Sequence, residues 1–235
     1  MRNVCVIIPD RGDRQEFTRH CLFQLSSQTV QPDKIYLIND SPKDEAPDLV
    51  PRIRWAIELA HDDGMEYAFI IENDDYYPDD YLESMTPDGH AIIGIDRTFY
   101  YSLRNPSYRL MYHPGRSALF CTGIRLSLLD DFPWPEDHSI NLDKRIWDYA
   151  PKHSKSFVTP RQMPIGIKHG IGLCAGHYHR NGFGRHAHTD DPEMIWLRSR
   201  VREESFEFYR NMSKKLNYEN KEKTTKKPGP VDPGT

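Results

Sequence analysis

The sequence predicts an α/β protein: one doubly wound domain around a mixed central sheet, followed by a disordered tail. Two observations carry this. Short β-branched runs alternate with amphipathic helical stretches as βαβαβ over the first 75 residues, the pattern of a sheet with right-handed crossovers. After residue 212 apolar residues nearly vanish and lysine takes over, so nothing there can pay for a core.

Taken in order, VCVII at 4–8 is a buried strand closed by Pro9. Asp13 and Glu16 have the spacing of a capping box, and Phe17, Cys21, Leu22 and Leu25 follow at helical intervals. KIYLI at 34–38 is a second strand, ending in Asn39-Asp40-Ser41-Pro42. Ile53, Ala56, Ile57 and Ala60 share one face of a helix that stops at Gly64, and YAFII at 67–71 is a third buried strand. A short helix with Tyr81, Leu82 and Met85 leads to a strand at 91–95, and the aromatic stretch 98–112 turns at Asn105-Pro106 as a hairpin. Beyond it we expect a strand at 117–122, a helix at 125–131, and a helix carrying Leu142, Ile146 and Trp147. Residues 168–188 lose all period, and a long helix resumes near Asp191 with Met194, Leu197, Val201, Phe208 and Met212. The resulting division is 1–212 folded (1–96, 97–190 and a C-terminal helix at 191–212) and 213–235 tail.

The chain has 235 residues, and its 31 Lys plus Arg against 35 Asp plus Glu give a net charge of −4. This argues against a protein that coats nucleic acid, because such affinity comes from clustered cations. The tail alone is basic, with six lysines against three acids. No apolar run spans a bilayer and the N-terminus breaks early into charge, so we expect a cytoplasmic protein of a bacterium or a phage-infected host cell, without membrane insertion. Cys5, Cys21, Cys121 and Cys174 stand singly and read as reduced, buried residues.

In doubly wound sheets ligands sit beyond the carboxyl ends of the strands. Here those ends supply Pro9 to Arg11, Asn39 to Ser41, and Glu72-Asn73-Asp74-Asp75. Acids placed directly after a buried strand are costly unless a cation compensates them. A Mn²⁺ or Mg²⁺ ion carrying a substrate phosphate would do so, since these ions favour carboxylate oxygen. An acidic turn that caps the next helix is the structural alternative.

The run from Val4 to Leu82 resembles the nucleotide-binding half of a GT-A glycosyltransferase of the family 2 kind. VCVIIPDRGDR is similar to the opening strand and polar loop of those enzymes, LSSQTVQPDKIYLINDSP to their second strand, and IIENDDYYPDDYL to their acidic metal motif. The resemblance implies a single GT-A, Rossmann-like domain that moves a sugar from a nucleotide sugar, a UDP-sugar, to an acceptor hydroxyl with inversion. It implies that Pro9 and Asp40 border the nucleoside and that Arg11 contacts phosphate or base. It makes Asp74 the principal metal ligand, with Glu72 at the first acidic position and Asp75 as sugar contact or second ligand. Either Asp137 or Asp143 would be the base that takes the acceptor proton; Asp137 could equally cap a helix.

Five of the eleven histidines fall between His169 and His188 in a glycine-rich stretch. Such a loop could close over a donor, with His177 or His179 completing the metal shell and Arg180 or Arg185 meeting the diphosphate. The two His-x-His pairs also fit a zinc hydrolase, a reading that leaves the acidic rim unexplained. A nucleotide-binding module without turnover is the further alternative. For the acceptor, the basic tail and Arg198, Arg200 and Arg202 favour a hydroxymethylated pyrimidine in DNA, and the acidic remainder favours a glycan. The sugar and the oligomeric state have no signature in the sequence.

Overall fold

The computed structural model describes residues 3–40, 48–135, 141–170, 183 and 186–225, with side chains as far as residue 218. Three parallel strands, β1 (Val4–Pro9), β2 (Lys34–Ile38) and β3 (Tyr67–Ile70), alternate with helices α1 (Gln15–Ser26) and α2 (Leu49–Asp62). After the short helix α3 (Tyr81–Ser84) come β4 (Ile92–Gly94), a hairpin of β5 (Arg97–Ser102) and β6 (Ser107–Tyr112), and β7 (Thr122–Arg125). Then follow helix α4 (Leu142–Tyr149), strands β8 (Lys155–Phe157), β9 (Ile165–Lys168) and β10 (Thr189–Asp190), and helices α5 (Ile195–Arg198) and α6 (Glu203–Thr225).

The main sheet has the order β2-β1-β3-β7-β4-β8, in which β7 runs antiparallel to both its neighbours. The mixed sheet and the α/β class are as predicted. A second sheet, β10-β6-β5-β9, is joined to the segment that follows β3 by an isolated bridge between Tyr76 and Ile165. One apolar layer packs α2 and α4 on one face of the main sheet, the opposite face is covered by α1 and α3, and a third cluster joins α1 to the second sheet, α5 and α6. Cys5, Cys21 and Cys121 are free and buried, as expected.

Several expectations are corrected. The capping box at Asp13 and Glu16 does not form: Arg14 stands at the N-cap of α1 and makes no side-chain cap bond. Strand β7 begins at Thr122 rather than ending there, and the helix foreseen at 125–131 is only a 3₁₀ turn at Leu126–Leu128. The long C-terminal helix is two helices. Asp191 accepts hydrogen bonds from the amides of Trp196 and Leu197 and from the Tyr101 hydroxyl, and Met194 takes φ 55°, so the chain turns before α6 can start. The expected boundary at 213 lies inside α6, where Ser213 donates to the Leu103 carbonyl (2.6 Å) and Leu216 is buried.

Candidate active site

The acidic turn after β3 is held by two buried glutamines, Gln24 of α1 and Gln28 just past its end. Gln24 donates to the Asp75 carbonyl (3.1 Å) and accepts from the Tyr77 amide (2.8 Å), while Gln28 does the same for Pro78 (2.6 Å) and Leu82 (2.9 Å). A third clamp lies at its start. The buried Asp10 carboxylate accepts from Asn73 Nδ2 (3.0 Å), from Thr18 Oγ1 (2.7 Å) and from the Gly12 amide (3.0 Å), tying β1, α1 and the turn together. Paired polar networks of this kind fix a loop because breaking any member leaves its partners unsatisfied in a dry interior.

From the other side comes β9. Reciprocal backbone bonds between Tyr76 and Ile165 (2.9 and 3.0 Å) align it with the turn, and the Ile167 amide donates to Asp75 Oδ1 (2.6 Å). Asp75 is 1% exposed, and its second oxygen, Oδ2, has no hydrogen-bond partner among the described residues. The register then delivers Lys168 and His169 to the acids. His169 Nε2 lies 2.7 Å from Asp74 Oδ2, and Arg14 Nη1 donates to the same oxygen at 3.0 Å.

The charges are strongly interdependent. Burial alone would raise the Asp74 carboxyl, but Arg14 and the bond from His169 outweigh it and hold it well below the usual carboxylate range. Asp75 goes the other way, raised by burial and then by the negative charge of Asp74. Glu72 is pushed up to about 7, chiefly by burial, then by Asp74, and in smaller part by Asp143. Asp143 stands in the first turn of α4. Asp143 itself is raised by burial against the opposing charge of its ion-pair partner Arg116.

Among the described residues, Glu72, Asp74 and Asp75 are the group with metal-ligand spacing, their candidate oxygens lying within 4.8 Å of one another. An all-carboxylate set suits Mg²⁺ or Mn²⁺, and the unpaired Asp75 Oδ2 is the atom such an ion would satisfy. The residues present therefore fit a divalent cation.

Other predicted residues fare differently. Pro9 is the last residue of β1 and is buried, while Asp40 is exposed just past β2, its carbonyl accepting from Arg52 Nη2 (2.7 Å). Arg11 is drawn to Asp48 at the start of α2 (2.8 Å). Asp137, His177, His179, Arg180 and Arg185 lie outside the described residues. The sequence reading missed Arg14, Lys168 and the pairing of His169 with Asp74. A signal existed for the turn's supports: His20, Gln24 and Gln28 recur at four-residue spacing through α1 and just past its end, and two of the three grip the turn.

No protein-family model and no curated protein matches the chain. Among solved structures it is similar to S. aureus TarS 1–349 in complex with UDP, with TM-score 0.46 and 13% identity over 71% of this chain and 60% of that one. It is also similar to a glycosyltransferase involved in the glycosylation of the major capsid of PBCV-1, with TM-score 0.40 and 11% identity over 69% of this chain and 92% of that one. The chain thus spans 60% of the length of the TarS fragment.

Proposed function

We propose that this protein is a metal-dependent, inverting glycosyltransferase that takes a sugar from a nucleoside diphosphate sugar, with UDP as the nucleotide, and passes it to an acceptor hydroxyl. The observation that carries the reading is the cluster of Glu72, Asp74 and Asp75, whose candidate oxygens lie within 4.8 Å of one another and in which the buried Asp75 Oδ2 has no hydrogen-bond partner among the described residues. In a purely structural acidic turn a buried carboxylate oxygen is as a rule hydrogen-bonded.

A bound Mn²⁺ or Mg²⁺ would supply positive charge beside the diphosphate as it leaves. Glu72, Asp74 and Asp75 would hold it, and Arg14 and Lys168 add standing positive charge at the same rim. Asp143 takes the proton of the acceptor hydroxyl as that oxygen attacks the anomeric carbon and the bond to the diphosphate oxygen breaks with its electron pair. Burial suits Asp143 to this task, since a raised carboxyl is a stronger base than a solvated one, while Arg116 keeps it oriented. For the acceptor, hydroxymethylated pyrimidines in duplex DNA and free glycans are the two classes to compare in one transfer assay.

Calorimetric titration with UDP and Mn²⁺, together with a donor-hydrolysis assay, tests the reading. Wild type should bind and hydrolyse, Asp74→Ala should do neither, and Asp143→Asn should bind normally while losing on the order of 10²- to 10⁴-fold in transfer. Absence of UDP binding by wild type, with Asp74→Ala indistinguishable from it, would sink the assignment.

A further inference from the structure

Arg14 occupies an improbable place for a cation. It is the N-cap of α1, where the helix presents its positive end, and its side chain makes no cap bond there. A serine, asparagine or aspartate would serve that position better. What Arg14 gains instead lies sixty residues away, where its Nη1 donates to Asp74 Oδ2 at 3.0 Å. His169 Nε2 meets the same oxygen at 2.7 Å, and the two side chains are 3.4 Å apart. A carboxylate oxygen has two lone pairs, so both acceptor positions of Oδ2 are taken. The neighbouring Asp75 Oδ2 has none taken. Within one cluster, then, Asp75 Oδ2 is open to a cation, whereas Asp74 Oδ2 is already engaged by Arg14 and His169.

Arg14 is also incompletely used. Its Nε is buried without a hydrogen-bond partner, and the Asp13 carboxylate near it stands at 3.6 Å, beyond bonding distance. A guanidinium holds five donors in a planar fork that matches phosphate oxygens in pairs. Arg14 lies in the loop after β1, at the strand-end rim where a diphosphate would lie. Lys168 behaves differently. Its Nζ sits 4.8 Å above the Tyr100 ring rather than on a carboxylate, so its charge stands by without blocking an oxygen.

We propose that Arg14 is the resident counter-cation of Asp74, displaced when a divalent ion takes that carboxylate and received in turn by the diphosphate of the bound nucleotide. Metal alone must then expel a cation that has nowhere favourable to go, and nucleotide alone must draw Arg14 away from Asp74 and leave that carboxylate without its counter-charge. Together each solves the other's problem. The two ligands therefore bind with positive coupling, and by linkage the factor is the same in either order. This inference rests on the metal-dependent reading above.

Titration of Mn²⁺, followed by the spin-resonance signal of the free ion, tests it without any turnover. In wild type, saturating UDP should tighten Mn²⁺ binding on the order of tenfold or more. Arg14→Gln should bind Mn²⁺ alone on the order of tenfold more tightly than wild type and gain little from UDP. Arg14→Lys, which keeps the charge but not the fork, should fall between. Thermal melting establishes that each variant is folded; should Arg14→Gln melt below assay temperature, Arg14→Lys decides. A folded variant whose affinity for Mn²⁺ alone equals that of wild type overturns the proposal. If wild type binds Mn²⁺ neither with nor without UDP, the metal-dependent function itself fails, and this inference with it.

Discussion

His169 lies 2.7 Å from Asp74 across 95 residues of sequence, and its ring packs against Phe17 with centroids 4.6 Å apart. One side chain thus joins β9, the acidic turn and α1. Because it fixes the orientation of the carboxylate, His169→Ala should weaken binding of UDP with Mn²⁺ by about 10- to 100-fold, the range seen when a group orienting a metal ligand is lost. His169→Gln, which keeps a donor near that position, should recover part of it. Titration calorimetry on both variants, with melting curves to confirm folding, checks this; equal affinities for Ala and wild type would refute it.

Gln24 offers a test of the clamp that is independent of any ligand. Leucine fills nearly the same volume, so Gln24→Leu removes two hydrogen bonds without opening a cavity. The Asp75 carbonyl and the Tyr77 amide are left buried and unpaired. At about 1–3 kcal/mol for each unsatisfied group, the variant should lose about 2–6 kcal/mol in urea unfolding. A change below about 0.5 kcal/mol, the size of an ordinary surface substitution, would mean that water reaches the turn.

These two residues also mark what could be read in the chain. The βαβαβ alternation and the acidic strand end were legible because each is local: a β-branched run bounded by polar turn residues announces itself within ten positions. The partners of the acids were not. Strand β9 is four residues long and contains a glycine, too short to carry a period, and it reaches the site only through pairing with β5 and the bridge to Tyr76. Arg14 looked like part of a charged loop, and a capping box was the cheaper explanation of its neighbours. The start of the tail was placed too early for a related reason: Leu216 is a lone apolar residue among lysines, and the packing of α6 over α1 and the second sheet buries it.

Two buried histidines predict how stability depends on pH. His20 and His113 are each pushed down to about 4, by burial first and then by Arg202 and Arg116 respectively. Both are therefore neutral in the folded protein where the unfolded chain, with an ordinary histidine near 6.5, binds a proton. Their contribution is complete above pH 6.5 and is lost as the pH falls toward 4, to a limit of about 3 kcal/mol each. Across that window each should add up to about 1.4 kcal/mol per pH unit to the slope of unfolding free energy. His20→Asn should flatten the slope by about that amount, measured by urea unfolding at several pH values; an unchanged slope would show that His20 titrates alike in both states.

The C-terminal helix supplies the last test, because a disordered tail and a packed helix respond oppositely to truncation. In α6, Ser213 bonds to Leu103, Leu216 is 1% exposed, and Lys215 pairs with Glu16 of α1 at 2.9 Å. Ending the chain after 225 removes none of these contacts and should leave the melting temperature unchanged. Ending it after 212 removes all three. The loss of one buried leucine alone is worth about 2–5 kcal/mol, and at roughly 2–4 °C per kcal/mol for a domain of this size the shorter chain should melt about 10 °C lower. Leu216→Ala should reproduce most of that drop in the full-length protein. Identical melting of both truncations would return residues 213–225 to the tail.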